Sequence, residues 1–350
     1  MRVADKTTQR NYLKYLNNAR TDYAETNMKI ASGNRFTKLS DDVSAGTRML
    51  NSRIELFKSE KQLSNVQAIN NELKAVEDSM MSMNDVLNEI IGTKLVKAVT
   101  ETTGEAGRVT IASEIKSMKE ELIQFANMKF ATKYPFGGST AKVAPFSFSD
   151  DGKLLYNGID VNSVQQRADG SRYYVDANGI EQDIAMDNPL FIDIGLGVRV
   201  DGTSFNSVSG FEASFSGIQV LGFGTTDDGM PNNIINILTE IEDKLVNYDL
   251  DELKKLQGHL TDRVDIFRTN VTDIGAKTNF LDTMDTRLTN QIDNYKFRID
   301  ELVGINDAEE ATNQSMNDYI LKAVIQMGSK ILPVSLWDYL SWFFIRINTN

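Results

Sequence analysis

The stretch VQAINNELKAVEDSMMSMNDVLNEI, residues 66–90, carries apolar side chains at a seven-residue period. Val66, Leu73, Met80 and Leu87 occupy one position of the repeat, and Ile69, Val76, Met83 and Ile90 the position three residues on. A half-buried strand would need strict alternation. This spacing instead returns to one side of a helix, as in the seam of a coiled coil. Leu, Met and Val dominate the first position and β-branched residues share the second, which favours a bundle of several helices over a two-stranded rope. Upstream, Ser40-Asp41-Asp42 is a helix start. Ser40 can cap a free N–H, and the two carboxylates sit where the helix dipole favours negative charge. No proline follows until Pro135. The spacing predicts one helix from about residue 41 to about residue 99, on the order of 90 Å long, and so an elongated molecule.

A second helix is expected over residues 108–129, with Ile111, Ile115, Met118, Leu122, Phe125 and Met128 on one face. Helical patterns return after Pro231. Ile234, Ile237, Leu238, Ile241 and Leu245 share a face, and Leu253, Leu256, Leu260, Val264 and Phe267 follow. Then Leu281, Met284, Leu288, Ile292, Tyr295, Ile299 and Leu302 form a second seam, the natural partner of the first.

The middle differs. Of 23 glycines, 14 lie between Tyr134 and Met230, with Pro135, Pro145 and Pro189. Six Asn-Gly or Asp-Gly pairs (Asp151-Gly152, Asn157-Gly158, Asp169-Gly170, Asn178-Gly179, Asp201-Gly202 and Asp228-Gly229) are hairpin signals, because these residues tolerate positive φ. Strand-like runs lie between them at 173–175, 190–194 and 215–221.

Both ends carry thinner apolar faces. Tyr12, Leu16, Ala19, Tyr23, Thr26 and Ile30 recur at steps of four and three, and Met316, Ile320, Ala323, Met327 and Ile331 do so after Gly304. Such helices are marginal alone, so coupled folding and binding is expected of them.

Composition narrows the function. Lys and Arg total 37 against 49 Asp and Glu, a net charge of −12, which disfavours nucleic acid. There is no cysteine, so disulfides, thiolate zinc sites and a Cys nucleophile are excluded. His259 is the only histidine and has no second imidazole to join it, so a structural role is expected. Asp150-Asp151 and Asp227-Asp228 lack calcium-loop spacing and read as turns. Gly195-Leu196-Gly197 lacks the third glycine of a dinucleotide loop. No cofactor, metal or catalytic set can be assembled, and no enzyme is expected. The N-terminus lacks the apolar run of a cleavable signal peptide. Residues 331–347 are apolar but hold Pro333, Asp338 and Arg346, so no membrane span is expected.

Several segments resemble the flagellin superfamily. Lys29-Ile30-Ala31-Ser32-Gly33-Asn34-Arg35-Phe36 with Leu39-Ser40-Asp41-Asp42 is similar to its N-terminal signature, with Val43 where proline is common. Tyr134-Pro135-Phe136-Gly137-Gly138-Ser139, Pro145-Phe146 and Tyr156-Asn157-Gly158, together with Gly328-Ser329-Lys330-Ile331-Leu332 and Ser335-Leu336-Trp337-Asp338-Tyr339-Leu340, resemble the hook-associated protein type 3 (FlgL) family within it. Two departures stand out. The family's Gln-Pro pair is replaced by Pro333-Val334, and a tail from Ser341 to Asn350 carries Trp342, Phe343 and Phe344.

The resemblance implies a mainly α, elongated antiparallel helical bundle or coiled coil with an inserted β-rich domain. It implies an extracellular structural role at the hook–filament junction of the bacterial flagellum, in a ring of copies of itself between FlgK and flagellin. Export would use the flagellar type III apparatus with the chaperone FlgN, without signal cleavage. The expected segments are 1–39, an assembly segment disordered in the monomer; 40–132 and 232–304, the two halves of the bundle; 133–231, the β-rich insertion; and 305–350, a second assembly segment. Tyr12, Leu16, Tyr23, Ile30, Met316, Ile320, Met327, Leu336, Tyr339 and Leu340 are the candidate assembly interface. The alternatives are a flagellin filament subunit, or an adhesin in which Tyr173, Tyr174 and Phe191 make contacts.

Overall fold

The computed structural model describes residues 2–36, 38–100, 104–138, 142–168, 170–176, 178–184, 190–196, 200–201, 204–205, 210–247 and 249–331. Long helices bracket a β-rich segment. Helix α1 covers Arg2–Ser32, α2 Val43–Glu89, α3 Val96–Val99, α4 Glu105–Ala126, α5 Gly217–Leu221, α6 Ile234–Asn247, α7 Leu250–Val303 and α8 Asp307–Ile331. Two compact units result, residues 1–58 with 291–350, and residues 59–290.

In the 59–290 unit the predicted heptad stripe is core. Val66, Val76, Met80, Met83, Leu87 and Ile90 are completely buried, and Leu73 and Ile69 nearly so. The facing stripe on α7, through Leu281, Met284 and Leu288, is buried too. The helices run antiparallel, and polar pairs flank the apolar seam. Gln67 donates to Asp285 at 2.9 Å, Asn70 to Asp282 at 2.6 Å, Thr278 to Glu77 at 3.0 Å and Arg268 to Asn88 at 2.6 Å. Lys74 also reaches Asp282 at 2.8 Å. Hydrogen bonds from Lys74 and then Asn70 hold the Asp282 carboxyl below its ordinary pKa.

The α2 rod does not stay α-helical to its end. Ile90–Leu95 form a π-helical turn before α3. Ile90 and Leu95 are both buried across this five-residue step, where an α-helix would use three or four. Lys94 is held between Glu114 at 2.9 Å and Glu89 at 3.2 Å. Its hydrogen bond to Glu114, and then that to Glu89, raise its pKa.

Helices α4 and α6 complete this core. Every periodic position on α6, Ile234, Ile237, Leu238, Ile241 and Leu245, is buried. Lys119 of α4 is almost buried and bonds Glu242 of α6 at 2.7 Å and Thr239 at 3.2 Å. Asn233 is completely buried. Its side chain donates to the Gly222 carbonyl at 2.7 Å and accepts from the Ile235 N–H at 2.9 Å, which caps α6.

The middle consists of short antiparallel strands. β1 (Phe146–Phe148), β2 (Leu154–Tyr156) and β3 (Ile159–Asp160) form one sheet, in register Phe146↔Tyr156 and Tyr156↔Ile159. Asn157 and Gly158 turn the second hairpin with φ of 50° and 86°. β4 (Gln165–Gln166), β5 (Arg172–Val175) and β6 (Glu181–Asp183) form another. β7 (Phe191–Ile192) pairs with β10 (Phe211–Glu212), and β8 (Val200–Asp201) with β9 (Ser204–Phe205). Phe146, Leu154 and Tyr156 join the helical core, with the Tyr156 hydroxyl bonded to the Phe136 carbonyl at 3.0 Å.

Two expectations are corrected. The run at 215–221 is not a strand but contains α5. A short apolar run does not separate the two states, and here packing decides. A Cβ at Gly217 would lie 2.6 Å from the Phe146 ring, and Gly222, at φ 91°, ends the helix. The cap of α2 is Asp42, which accepts from the Ala45 N–H at 2.9 Å, whereas the Ser40 hydroxyl bonds Asp41.

Two outcomes follow for this unit. Asn233→Ala removes a cap and orphans buried groups, so urea unfolding should show a loss of about 1–3 kcal/mol. Glu240 is half-buried, and burial raises its carboxyl pKa against the pull of Lys244 and His259, with Asp243 and Glu252 adding to the rise. Ionisation of Glu240 therefore costs the folded state more than the unfolded one. Its protonated form favours folding, and that advantage disappears as pH climbs from the unfolded carboxyl pKa through the raised folded one. Glu240→Gln should raise the urea midpoint at pH 7 and leave it little changed at pH 4.

Candidate assembly interface

The unit made by the two chain ends is built around α1 and α8. Gly33, at φ 65°, ends α1. The linker then docks on the end of α7, where the Arg35 N–H donates to the Val303 carbonyl at 2.6 Å and its guanidinium to the Leu302 carbonyl at 3.2 Å. Asn34 pairs with Gly304, so the connections entering α2 and leaving α7 are tied together. Asn306 caps α8 by accepting from Ala308 at 3.2 Å, and Asp307, Glu309 and Glu310 fill its first turn.

From there α8 runs back along α1. Gln314 donates to Asn27 at 2.6 Å, Asn317 donates to Thr26 at 2.8 Å, and Gly328 lies against the Tyr12 ring. A Cβ at position 328 would collide with the Tyr12 hydroxyl. These partners descend on α1 as they ascend on α8, so the pair is antiparallel. Its closed seam on α1 is Tyr12, Ala19 and Thr26, seven residues apart, with Leu16, Tyr23 and Ile30 half-buried beside them.

The candidate residues therefore divide. Tyr12, Leu16, Tyr23 and Ile30 lie in or beside the seam, whereas Met316, Ile320 and Met327 are exposed. Leu336, Tyr339 and Leu340 lie outside the described residues. Periodicity missed Leu13 and Tyr15 on α1 and Tyr319 and Ile325 on α8, all of them exposed. Tyr319 is 74% exposed. These four fall off the stripe that the steps of three and four select, and only an unusually wide apolar face could have announced them. Tyr15, Ile320, Val324 and Met327 line a groove of about 530 Å³ along the pair. A second, polar cleft in this unit is lined by Arg35, Arg48 and Arg298 and by Asp42, Glu55 and Glu301, so it offers both signs of charge.

The remaining candidates occupy structural positions. His259 bonds the Pro231 carbonyl at 3.0 Å through Nε2. Asp150 and Asp151 lie in the turn closed by Ser149 and Lys153, and Asp227 and Asp228 in that closed by Thr226 and Met230. Tyr173 bonds Gln165 at 2.7 Å under the Arg167 guanidinium, Tyr174 packs against the core, and Phe191 lies in β7. Among the described residues no group of three His, Cys, Asp or Glu side chains is placed to hold a metal, and no helix is long and apolar enough to cross a membrane.

Residues 3–140 match the family described as the bacterial flagellin N-terminal helical region. Over 177 residues the chain is 23% identical to the flagellar hook-associated protein 3 of Salmonella typhimurium LT2 and 24% identical to that of Escherichia coli K12. Each match covers 50% of this chain and 54% of the relative, so the chain spans about half the length of the curated relatives it matches. A solved flagellar hook-associated protein from Vibrio parahaemolyticus shares the fold, with a TM-score of 0.50 at 17% identity, over 75% of this chain and 98% of that one. With its N-terminal helical region matched and its inserted strands between long antiparallel helices, the chain is similar over residues 3–140 to the bacterial flagellin N-terminal helical region and over half its length to hook-associated protein 3.

Proposed function

We propose that this chain is a structural subunit of the bacterial flagellum that forms the hook–filament junction, in a ring between FlgK and flagellin. The observation that carries the reading is the imbalance within the α1–α8 pair. Ordering a residue costs about 1–2 kcal/mol of backbone entropy. Against that cost, α1 closes over little more than Tyr12, Ala19 and Thr26, while Met316, Tyr319, Ile325 and Met327 remain more than half exposed. A helix pair that leaves its large apolar side chains in water is suited to receive neighbouring copies, whose burial of that face supplies the missing stabilisation. Tyr12, Leu16, Tyr23 and Ile30 then hold the pair, and Met316, Ile320 and Met327 face the neighbours, together with Leu336, Tyr339 and Leu340. The similarity to hook-associated protein 3 supports a place at the junction rather than along the filament. No catalytic role is assigned. Passage through the flagellar type III apparatus with FlgN belongs to the same reading.

The deciding experiment is a deletion strain. Loss of filaments with hooks retained and flagellin shed into the medium is expected, and normal filaments overturn the reading. Complementation with Ile320→Glu and Met327→Glu together should fail to restore filaments, because two charges cannot be buried in an apolar contact. The purified variant should unfold at the same urea concentration as the wild type. Limited proteolysis of the free wild-type subunit should trim about 40 residues from each end before cutting residues 59–290, since marginal terminal helices open first.

A further inference from the structure

The chain has 13 methionines and no cysteine, so thioethers are its only oxidisable sulfur. Met1 and Met186 lie outside the residues whose side chains are described. Among the others, exposure is sharply divided. Met80 and Met83 are 0% exposed and Met284 and Met49 are buried, while Met118, Met128 and Met230 are intermediate. Four are open to solvent: Met28 at 54%, Met81 at 55%, Met316 at 60% and Met327 at 56%. Three of those four lie on the α1–α8 pair. Met316 and Met327 share a face of α8 with Ile320, and Met327 lines the apolar groove beside Tyr15.

We propose that the exposed Met316 and Met327 of α8 form a peroxide-reactive modification site, at which oxidation disables that face of α8 for burial against neighbours. The consequence for assembly rests on the function proposed above; the site itself rests on exposure alone. In the reaction the thioether sulfur attacks one oxygen of hydrogen peroxide. An S–O bond forms as the O–O bond breaks, sulfur loses two electrons, and the peroxide is reduced to water, with the proton relocated through solvent. The product sulfoxide is polar and a strong hydrogen-bond acceptor. On a face that must lose its water, it carries the desolvation cost of an unpartnered polar group in place of an adaptable apolar contact. Met80, Met83 and Met284 of the 59–290 unit are shielded, and Met81, though exposed, lies outside the α1–α8 pair. Neighbours that cover the Met316 and Met327 sulfurs also protect them, so the free subunit is the sensitive form.

The test treats the full chain with hydrogen peroxide, maps sulfoxide by peptide mass spectrometry, and then adds the chain and flagellin monomer to isolated hooks bearing FlgK. Filaments are counted by electron microscopy. Met28, Met316, Met327 and Met81 should gain oxygen well before Met80, Met83 and Met284, with helical circular dichroism unchanged. Filament number should fall about tenfold or more, the equivalent of about 1.4 kcal/mol. The double variant Met316→Leu, Met327→Leu keeps size and apolarity and should start filaments equally before and after peroxide. Met81→Leu alone should remain as sensitive as the wild type. Equal oxidation of buried and exposed methionines overturns the site. Unimpaired filament growth from the oxidised wild type, or equal loss in the double variant, overturns its effect. If the untreated wild type starts no filaments, the junction reading fails instead, and the oxidation map still decides the site.

Discussion

The antiparallel contact between α2 and α7 within residues 59–290 is the constraint on which the rest of this chain depends. Its apolar stripe supplies the burial, but a heptad repeat alone permits slippage by a whole repeat. The flanking polar pairs remove that freedom. Asn70 and Lys74 converge on Asp282, Gln67 meets Asp285 and Glu77 meets Thr278, and a slip of seven residues would separate all of them at once. Register is therefore specified by exposed or half-buried polar contacts of small individual value, while stability comes from the side chains between them. The β-rich segment, whose own strands are only two to four residues long, borrows from the same contact. Ile194 and Phe211 pack with Val66, Leu73 and Leu288, and Gln62 bonds Asp193 at 3.0 Å.

The two units are held together by different means. Residues 59–290 close their own core, with α6 burying each of its periodic positions and with Lys119 and Glu242 paired inside it. The unit formed by the chain ends holds its helices together with amide contacts, Gln314 to Asn27 and Asn317 to Thr26, and with one ring against a glycine. Amide contacts fix direction and spacing but remove little apolar surface from water. In the assembly proposed above, neighbours cover the apolar side chains that this pair leaves exposed, Met316, Tyr319, Ile325 and Met327 among them.

The long helices were legible because burial imposes a period and the sequence repeats it without interruption from Val66 to Ile90. The hairpin at Asn157-Gly158 was legible for a different reason, since few residue pairs accept positive φ twice in succession. The run at 215–221 reads as a strand because its four large apolar residues, Phe215, Ile218, Val220 and Leu221, are too few to carry a reliable period, and the glycines at 217 and 222 matter through neighbours outside the run, Phe146 and Asn232. At the candidate interface, counting steps of three and four found Tyr12 and Met316 alike, although one is enclosed and the other open. Periodicity identifies which side chains share a side of a helix, but it does not say which of two sides another helix will take. Nor could it find Asn27, Gln314 and Asn317, whose roles depend on a partner nearly three hundred residues away.

The π-helical turn at Ile90–Leu95 has an effect beyond its own six residues. A turn of five residues brings Leu95 back to the side of the axis that Ile90 occupies. Val76, Met83 and Leu87 before the turn and Leu95 and Ala98 after it therefore enter the same cluster as Ile111 and Ile115 of α4. The widened turn absorbs its surplus residue locally, so the apolar edge keeps one heading although the count of residues behind it has moved by one.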